Sequence, residues 1–347
     1  MFELSVVRGR KVLAGALFLG FAAVAGVSSA VAAEDTMPHW AWGRHDPASP
    51  PPPSVEEIPP DGTQRHQLPG SRFSFTYAEA SNTNKYRPVD WWPEDHPQPV
   101  PEIVRHGRES AEIYPCGLCH RMTGNGRPEN AAITGLDYAY FVQQLMDFRN
   151  GLRRSSDANK SNALKMIHFA SSLTDDEIRD AATYFTSIDA KPWIKVIETD
   201  SVPKMTSRND MFYPIKGPNA GVEPLGRRII ETPASEQAEL WRDSRIGFLA
   251  YVPRGSVKQG EALVIDGVTT SGGKVTPCTV CHGVDLGGLG AVPRLAGRSA
   301  SYLTRQLYDM QQGNRAGPWS TMMAPVLIEL GPDDLLVAAA YLASLDP

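Results

Sequence analysis

Apolar residues recur with the period of an α-helix through most of the chain beyond residue 102. Between residues 137 and 150, Tyr140, Phe141, Leu145 and Phe148 fall on one face of such a helix. Further helices are predicted from a cap at Thr174 or Asp175 to about residue 187, and over 258–264, 302–311 and 333–345. The pattern therefore predicts a mainly α-helical fold.

One internal segment, 191–255, departs from the helical period. It contains β-branched and aromatic runs at 193–198, 228–231 and 247–252, each interrupted by Pro or Gly. Such runs are typical of short strands or a hairpin. We therefore predict a short-stranded β insert within the helical chain.

Residues 34–105 differ from the rest in composition. They hold 14 of the 29 Pro and four of the seven Trp. Because Pro removes backbone donors and disfavours helices, we expect extended and turn structure there. The part up to about residue 70 is predicted to be a poorly ordered or surface-wrapping arm, and 72–77 a short strand.

The amino terminus has the pattern of a secretory signal peptide. Basic residues precede an uncharged, largely apolar stretch, 12–27, and an A-x-A cleavage pattern ends at Ala32. We expect cleavage after Ala32 or Ala33, removal of residues 1–33 and export to the periplasm. The alternative is an uncleaved anchor, because 12–33 is uncharged and long enough to span a bilayer; it would associate the protein with the membrane.

An internal repeat organises the helical part of the chain. Shifting the sequence by 162 residues superimposes a long series of identical residues without a gap. The matched pairs are His120 and His282, Gly135 and Gly297, Tyr140 and Tyr302, Gln144 and Gln306, Leu145 and Leu307, Asp147 and Asp309, Gly151 and Gly313, and Arg153 and Arg315. Beyond them the shift falls to 157, and Met166 then matches Met323. The repeat predicts two duplicated domains.

Composition places all cysteine chemistry in this repeat. The 347 residues are 41% hydrophobic, enough to fill the cores of two or three domains. A net charge of −5 without a long basic run argues against a nucleic-acid partner. The four Cys occur in two C-x-x-C-H motifs, Cys116 and Cys119 before His120, and Cys278 and Cys281 before His282. No Cys remains for a disulfide scaffold or a catalytic thiol.

C-x-x-C-H is the attachment signature of c-type haem. Two thiols three residues apart on one helical turn reach the two vinyl groups of a porphyrin edge, and the next residue supplies an imidazole to the iron. A zinc site would need two further ligands, and neither copy has a following H-x(3–5)-H. A redox dithiol would need neither His120 nor His282. We predict two covalently attached haem c groups.

The sixth ligand of each iron is predicted to be a methionine. Met166 and Met323 lie 46 and 41 residues after the histidine of their own motif, and repeat equivalence selects them. Met322 and His168 are the competing candidates. A Cys ligand is excluded, because no Cys remains.

Both halves resemble class I cytochromes c, and the tandem resembles the dihaem cytochrome c4 family. The resemblance rests on the haem-binding helix, on TGLDYAYFVQQLMDFRNGLR and RLAGRSASYLTRQLYDMQQGNRAG, on the Met-ligand loop and on the terminal helix. It implies two Met/His-ligated haems that pass single electrons. The family's Pro, whose carbonyl binds the ligand His, matches Pro293, but the first copy has Ala131, which puts the orientation of His120 in doubt.

Two pairs of repeat-equivalent side chains are further candidates. Arg153 and Arg315 suit either haem propionates or surface salt bridges. Tyr140 and Tyr302 are expected to pack against haem and helices rather than to react.

These observations predict a mainly α-helical protein of two tandem class I cytochrome c domains. The predicted parts are a signal peptide, 1–33, a Pro/Trp-rich arm, 34–97, a first domain, 98–190, an insert, 191–255, and a second domain, 256–347. The expected function is periplasmic electron transfer between a donor dehydrogenase or respiratory complex and an acceptor. The alternatives are a cytochrome c subunit of a dehydrogenase complex and a dihaem enzyme. A thiosulfate dehydrogenase would need a Cys ligand that this chain lacks.

Overall fold

The first described segment of the chain is half-buried, with a fully buried centre. The computed structural model describes residues 37–44, 63–81 and 84–347, so the predicted signal peptide, 1–33, lies outside the described residues. A 3₁₀ turn at His39–Trp42 leaves Ala41 and Trp42 without exposed surface. The prediction of a poorly ordered or surface-wrapping arm is therefore wrong for 37–44, because the Trp42 indole packs edge-on against Tyr308.

The rest of the described arm contains a small hairpin and one short α-helix. Strands β1 (Arg65–His66) and β2 (Phe75–Thr76) pair antiparallel, and helix α1 (Tyr77–Ala80) follows; helix α2 (Glu102–Arg105) already lies in the first domain. The predicted strand over 72–77 is thus shorter than expected. Thr76 ends it by capping α1, since its hydroxyl accepts from Glu79 N–H at 3.2 Å. Trp91 and Trp92 are buried in a small aromatic cluster with Trp241.

The first repeat folds as helices around one apolar core. The helices are α3 (Cys116–His120), α4 (Tyr138–Arg149), α5 (Ser161–Ser172) and α6 (Asp175–Thr186). Asp137 caps α4 by accepting from Ala139 N–H at 2.8 Å, and Thr174 caps α6. The segment expected to be the Met-ligand loop is instead helix α5, because its residues favour helix and pack against α4.

The insert forms small sheets. Its elements are β3 (Ile194–Glu198), β4 (Ser201–Pro203), β5 (Met205–Arg208), β6 (Met211–Pro214), β7 (Val222–Pro224), β8 (Ile230–Pro233), helix α7 (Glu236–Leu240) and β9 (Phe248–Val252). Strand β9 pairs parallel with β3 and antiparallel with β8, and these three strands occupy the runs at which the sequence indicates strands. Strands β4 and β7, and β5 and β6, form two further antiparallel pairs.

The second repeat has its own core. Its helices are α8 (Ser256–Asp266), α9 (Thr279–His282), α10 (Ala300–Gln311), α11 (Ala324–Leu327) and α12 (Pro332–Ser344). Helices α8 and α12 pack so closely that a Cβ at Gly260 would lie 2.0 Å from Val337 O, so only glycine fits there.

Residues Met37–Pro347 form one compact unit that includes both repeats and the insert. Within the described ranges, no helix combines the length and apolar character needed to cross a membrane.

Candidate functional site

Each C-x-x-C-H histidine is held by a backbone carbonyl. His120 Nδ1 donates to Ala131 O at 2.8 Å, and His282 Nδ1 donates to Pro293 O at 2.8 Å. Burial lowers the pKa of both imidazoles, which favours the neutral ring. Because the proton is on Nδ1, each Nε2 keeps a lone pair for a metal ion. The first repeat has Ala131 where the second has Pro293, and the hydrogen bond from Nδ1 to the carbonyl is present in both.

The second ring nitrogen of His282, Nε2, is suited to bind an iron atom. His282 Nε2 is buried and has no hydrogen-bond partner among the described residues. A buried polar atom without a partner costs free energy unless a ligand satisfies it. A haem iron bound by this nitrogen would supply that partner, so the second motif fits the group that its sequence predicts.

In the first repeat, a cavity of about 170 Å³ brings the predicted site residues together. Cys116, Cys119, His120 and Met166 all line it, with Met166 supplied by helix α5. Most of the remaining wall is apolar and aromatic, and basic side chains add positive charge; the lining includes Phe141, Leu145, Phe148, Phe169, Phe185, Lys160, Arg153, Arg298 and Arg305. These walls fit a flat apolar ring that carries carboxylates.

The buried thiols are unsuited to thiolate chemistry. Burial raises the pKa of Cys116 to about 12 and that of Cys278 to about 11, and burial also raises the pKa of Cys119. Zinc ligation and disulfide exchange both require thiolates. Thioether sulfurs carry no charge, so they are compatible with these environments.

The second predicted methionine lies at the end of a 3₁₀ turn, Ser320–Met323. Met323 is half-buried, whereas its competitor Met322 is 75% exposed. In the first repeat, Met166 is likewise half-buried and the competitor His168 is exposed. In both repeats the predicted ligand is thus the less exposed of the two candidates.

Arg153 and Arg315 meet at the interface between the repeats. Arg153 donates to Gln144 Oε1 at 3.0 Å and to Gln306 Oε1 at 2.7 Å. Arg315 donates to the same two oxygens at 2.9 and 3.2 Å, and to Tyr140 OH at 2.6 Å. Both arginines are buried, so the alternative of surface salt bridges is wrong for them. The arginine of each repeat therefore binds the glutamine of the other repeat, as expected for two copies related by an approximate twofold axis.

The insert covers the first motif through a buried ion-pair network that sequence reasoning missed. Glu239 of helix α7 binds Arg121 at 2.8 Å and Arg127 at 3.0 Å. Arg242 also donates to Leu118 O within helix α3. A signal was present, because the second repeat has Gly283 and Leu289 where the first has these two arginines, Arg121 and Arg127. Two arginines beside the first motif only indicate that an acidic group of the same protein binds near that motif.

The geometry defines a c-type cytochrome with two haem sites, and comparisons with known proteins agree. Searching protein-family models gave no match. Cytochrome c4 of Stutzerimonas stutzeri is 24% identical over 242 residues, which cover 67% of this chain and 86% of that protein. A protein named thiosulfate dehydrogenase electron acceptor, from Stutzerimonas stutzeri strain A1501, is 35% identical over 250 residues, which cover 70% of this chain and 85% of that protein.

The chain belongs to the family of dihaem class I cytochromes c that includes the cytochromes c4. It carries two covalently attached haem c groups and takes part in electron transfer. Among solved structures, reduced recombinant cytochrome c4 from Pseudomonas stutzeri is 23% identical, with a TM-score of 0.43 over 66% of this chain and 93% of that one. The family assignment rests on the curated relatives.

Proposed function

We propose that the protein is a periplasmic electron carrier with two His/Met-ligated haems. The observation that carries this proposal is the cavity of the first repeat, where His120 and Met166 line the same space. Repeat equivalence extends the ligand set to the second repeat. The proposed ligands and attachment residues are Cys116, Cys119, His120 and Met166, and Cys278, Cys281, His282 and Met323.

The haem iron, when bound, supplies a one-electron couple, and methionine ligation raises its potential. The chain's own residues hold that couple in place. The carbonyls of Ala131 and Pro293 orient the two imidazoles through the Nδ1 protons. The apolar walls of the first cavity would shield a bound haem from water, so the protein would have a large share in setting its potential.

Met166→Ala should remove the sulfur-to-iron charge-transfer band of one haem in the oxidised protein. The reduction equilibrium of that haem should shift toward the oxidised form by more than about tenfold, or ~59 mV for one electron, because a thioether ligand favours ferrous iron. Optical spectra and redox titration measure both. Met146→Ala is the matched control, since Met146 packs on the same core but does not line the cavity. An unchanged band in Met166→Ala would refute this ligand assignment.

The two motifs differ in how much surface they expose. Leu118 and Met122 in the first repeat are 7% and 5% exposed, whereas their equivalents Val280 and Val284 are 65% and 91% exposed. The insert and helix α6 account for the difference, since Arg242 donates to Leu118 O and the Tyr184 hydroxyl donates to Met122 O. We therefore propose that a redox partner docks at the exposed apolar surface around the second motif.

The proposed partner is a periplasmic dehydrogenase that donates electrons. One relative is named a thiosulfate dehydrogenase electron acceptor, so thiosulfate dehydrogenase is the first donor to test. The test is stopped-flow reduction of the oxidised cytochrome by the reduced dehydrogenase. Size-exclusion chromatography separates a mobile carrier from a fixed subunit of a dehydrogenase complex, because only a subunit co-migrates with the dehydrogenase.

Val284→Asp should slow electron transfer from the partner by about tenfold, which corresponds to about 1.4 kcal/mol. A carboxylate in an apolar docking surface must lose its hydration when the partner binds. Haem content should stay unchanged, and redox titration separates any effect of the added charge on the potential of the second haem from the loss of docking. Val222→Asp is the matched control, because Val222 is 71% exposed on strand β7 of the insert. Equal slowing in the two variants would place the docking surface elsewhere.

A further inference from the structure

The loop over 128–134 holds the acceptor that orients His120. Its local structure is the same as that of the equivalent loop in the second repeat. Ile133 N–H donates to Gly124 O at 2.8 Å, as Leu295 N–H donates to Leu286 O at 2.9 Å. The two loops differ at the acceptor itself, which is Ala131 in one and Pro293 in the other. A proline ring fixes φ, whereas alanine leaves it free.

Three arginines of the second repeat bind the backbone of the loop over 128–134. All three are buried, with exposed fractions of 4–5%. Their hydrogen bonds run from Arg305 to Pro128 O at 2.6 Å, from Arg298 to Ala132 O at 2.8 Å and from Arg294 to Thr134 O at 3.4 Å. The three carbonyls lie on both sides of Ala131, so the arginines hold the loop before and after the acceptor.

Among the residues that the structure describes, the second repeat binds the first in this way but the first does not bind the second. With the shift of 162 residues, the three arginines correspond to Ala132, Leu136 and Gln143 of the first repeat, none of which has a guanidinium. Within the described part of the chain, no matching set of arginines therefore binds the loop of the repeat whose histidine acceptor is a proline. The repeat whose acceptor is an alanine is bound by all three.

We propose that Arg294, Arg298 and Arg305 are positioning residues for His120. Charge-assisted hydrogen bonds from their guanidiniums fix the loop over 128–134, and the fixed loop holds Ala131 O against the imidazole. The ring of Pro293 performs this task in the second repeat. The inference rests on the proposed function, because His120 must be an iron ligand for its orientation to matter.

Arg298 is the residue to test, since its bond to Ala132 O is adjacent to the acceptor. In Arg298→Gln, exchange of the His120 Nδ1 proton with deuterated solvent should be at least about tenfold faster than in the wild type. The equivalent proton of His282 should exchange at the wild-type rate. Hyperfine-shifted proton NMR of the oxidised holoprotein measures both protons in one sample, so the second haem is the internal reference.

The double variant Ala131→Pro with Arg298→Gln separates positioning from an effect of charge. Arg298 also lines the first cavity and stacks on Tyr302 at 4.9 Å, so its removal changes the field there. A proline at 131 restores a fixed backbone without restoring charge. We expect exchange at His120 to return to within about twofold of the wild-type rate. Fast exchange that persists in the double variant would overturn the proposal, as would an unchanged rate in Arg298→Gln.

Asn314→Ala is the matched control for a loosened interface. Asn314 donates to Ser156 Oγ at 3.2 Å between the same two repeats but does not bind the loop. Exchange of the His120 Nδ1 proton should stay at the wild-type rate in this variant, and faster exchange would count against the proposal.

If Arg298→Gln fails to fold, Arg298→Lys replaces it, because lysine keeps the charge but loses the planar fork of the guanidinium. We expect the same faster exchange in Arg298→Lys and the same return toward the wild-type rate when Ala131→Pro is added.

The wild-type spectrum separates this inference from the proposed function. If His120 were not an iron ligand, its Nδ1 proton would show no hyperfine shift before any substitution is made. If His120 is a ligand but the arginines do not position it, the shifted proton is present and its exchange rate is the same in every variant.

Discussion

Replacing Glu239 with glutamine should lower the free energy of unfolding by about 3–5 kcal/mol. The carboxylate lies in the insert and binds Arg121 and Arg127 of the first repeat. Glu239 and Arg121 are each only 5% exposed, so water cannot replace the lost charge. The variant removes the carboxylate that binds Arg121 directly and leaves only the more weakly interacting Glu129 and Asp243 near this buried cation, while Arg127 keeps Glu129 at 2.7 Å.

The pH dependence of stability provides a second signature of Glu239. Burial alone would raise its pKa, but Arg127 and Arg121 reverse this and hold the pKa below the ordinary value of 4.5. The folded state therefore binds this proton more weakly than the unfolded chain does. The contribution is fully present above pH 4.5 and is lost as the pH falls through the lowered pKa. Glu239→Gln should lack this acid-dependent component.

Guanidinium denaturation of the oxidised holoprotein, followed by circular dichroism, measures the change. Asp200→Asn is the matched control, because the Asp200–Arg254 pair at 2.7 Å is 76% and 65% exposed. An exposed pair contributes about 0–1 kcal/mol, so the control should change little. A loss below about 1 kcal/mol in Glu239→Gln would contradict a stabilising role for this network.

The parts of the site that the sequence predicts are the local ones. Haem attachment needs two thiols and an imidazole within five residues, and helix α3 spans those five residues, Cys116–His120. The boundaries of α4 and α6 also follow from nearby groups, because Asp137 and Thr174 bind backbone N–H groups within three residues. Such interactions need no knowledge of tertiary structure.

The parts that the sequence does not predict depend on distant segments. Glu239 and Arg121 are 118 residues apart, and no local spacing relates them. Arg298 and Ala132 are 166 residues apart. The resemblance to class I cytochromes predicts a Met-ligand loop where the structure has helix α5. The helical propensity of these residues and their packing against α4 together determine the observed conformation.

The duplicated motif therefore has two different environments within one fold. The first motif is covered by the insert and faces three arginines of the second repeat, whereas the second motif is bordered by exposed valines at 280 and 284. Because burial and charge around a haem tune its potential, we expect the two haems to differ in potential.

The segment at 37–44 connects parts of the fold that are distant in the sequence. The Trp42 indole N–H donates to Ser155 Oγ at 2.9 Å in the first repeat, and its ring lies 5.8 Å from that of Tyr308 in the second. Ser207 of the insert donates to Gly43 O, and Arg305 donates to Ala41 O. This short segment therefore binds both repeats and the insert at once.

Trp42→Ala should lower the free energy of unfolding by about 3–5 kcal/mol, because Trp42 is fully buried and the substitution leaves a cavity at this junction. Trp42→Phe keeps most of the apolar contact but loses some buried volume and the hydrogen bond to Ser155. The lost hydrogen bond alone should lower the free energy of unfolding by about 1 kcal/mol. Denaturant midpoints of the holoproteins measure both. Phe73→Ala is the matched control, since Phe73 belongs to the same arm but is 38% exposed. Equal losses in Trp42→Ala and Phe73→Ala would show that residues 37–44 are not a structural junction.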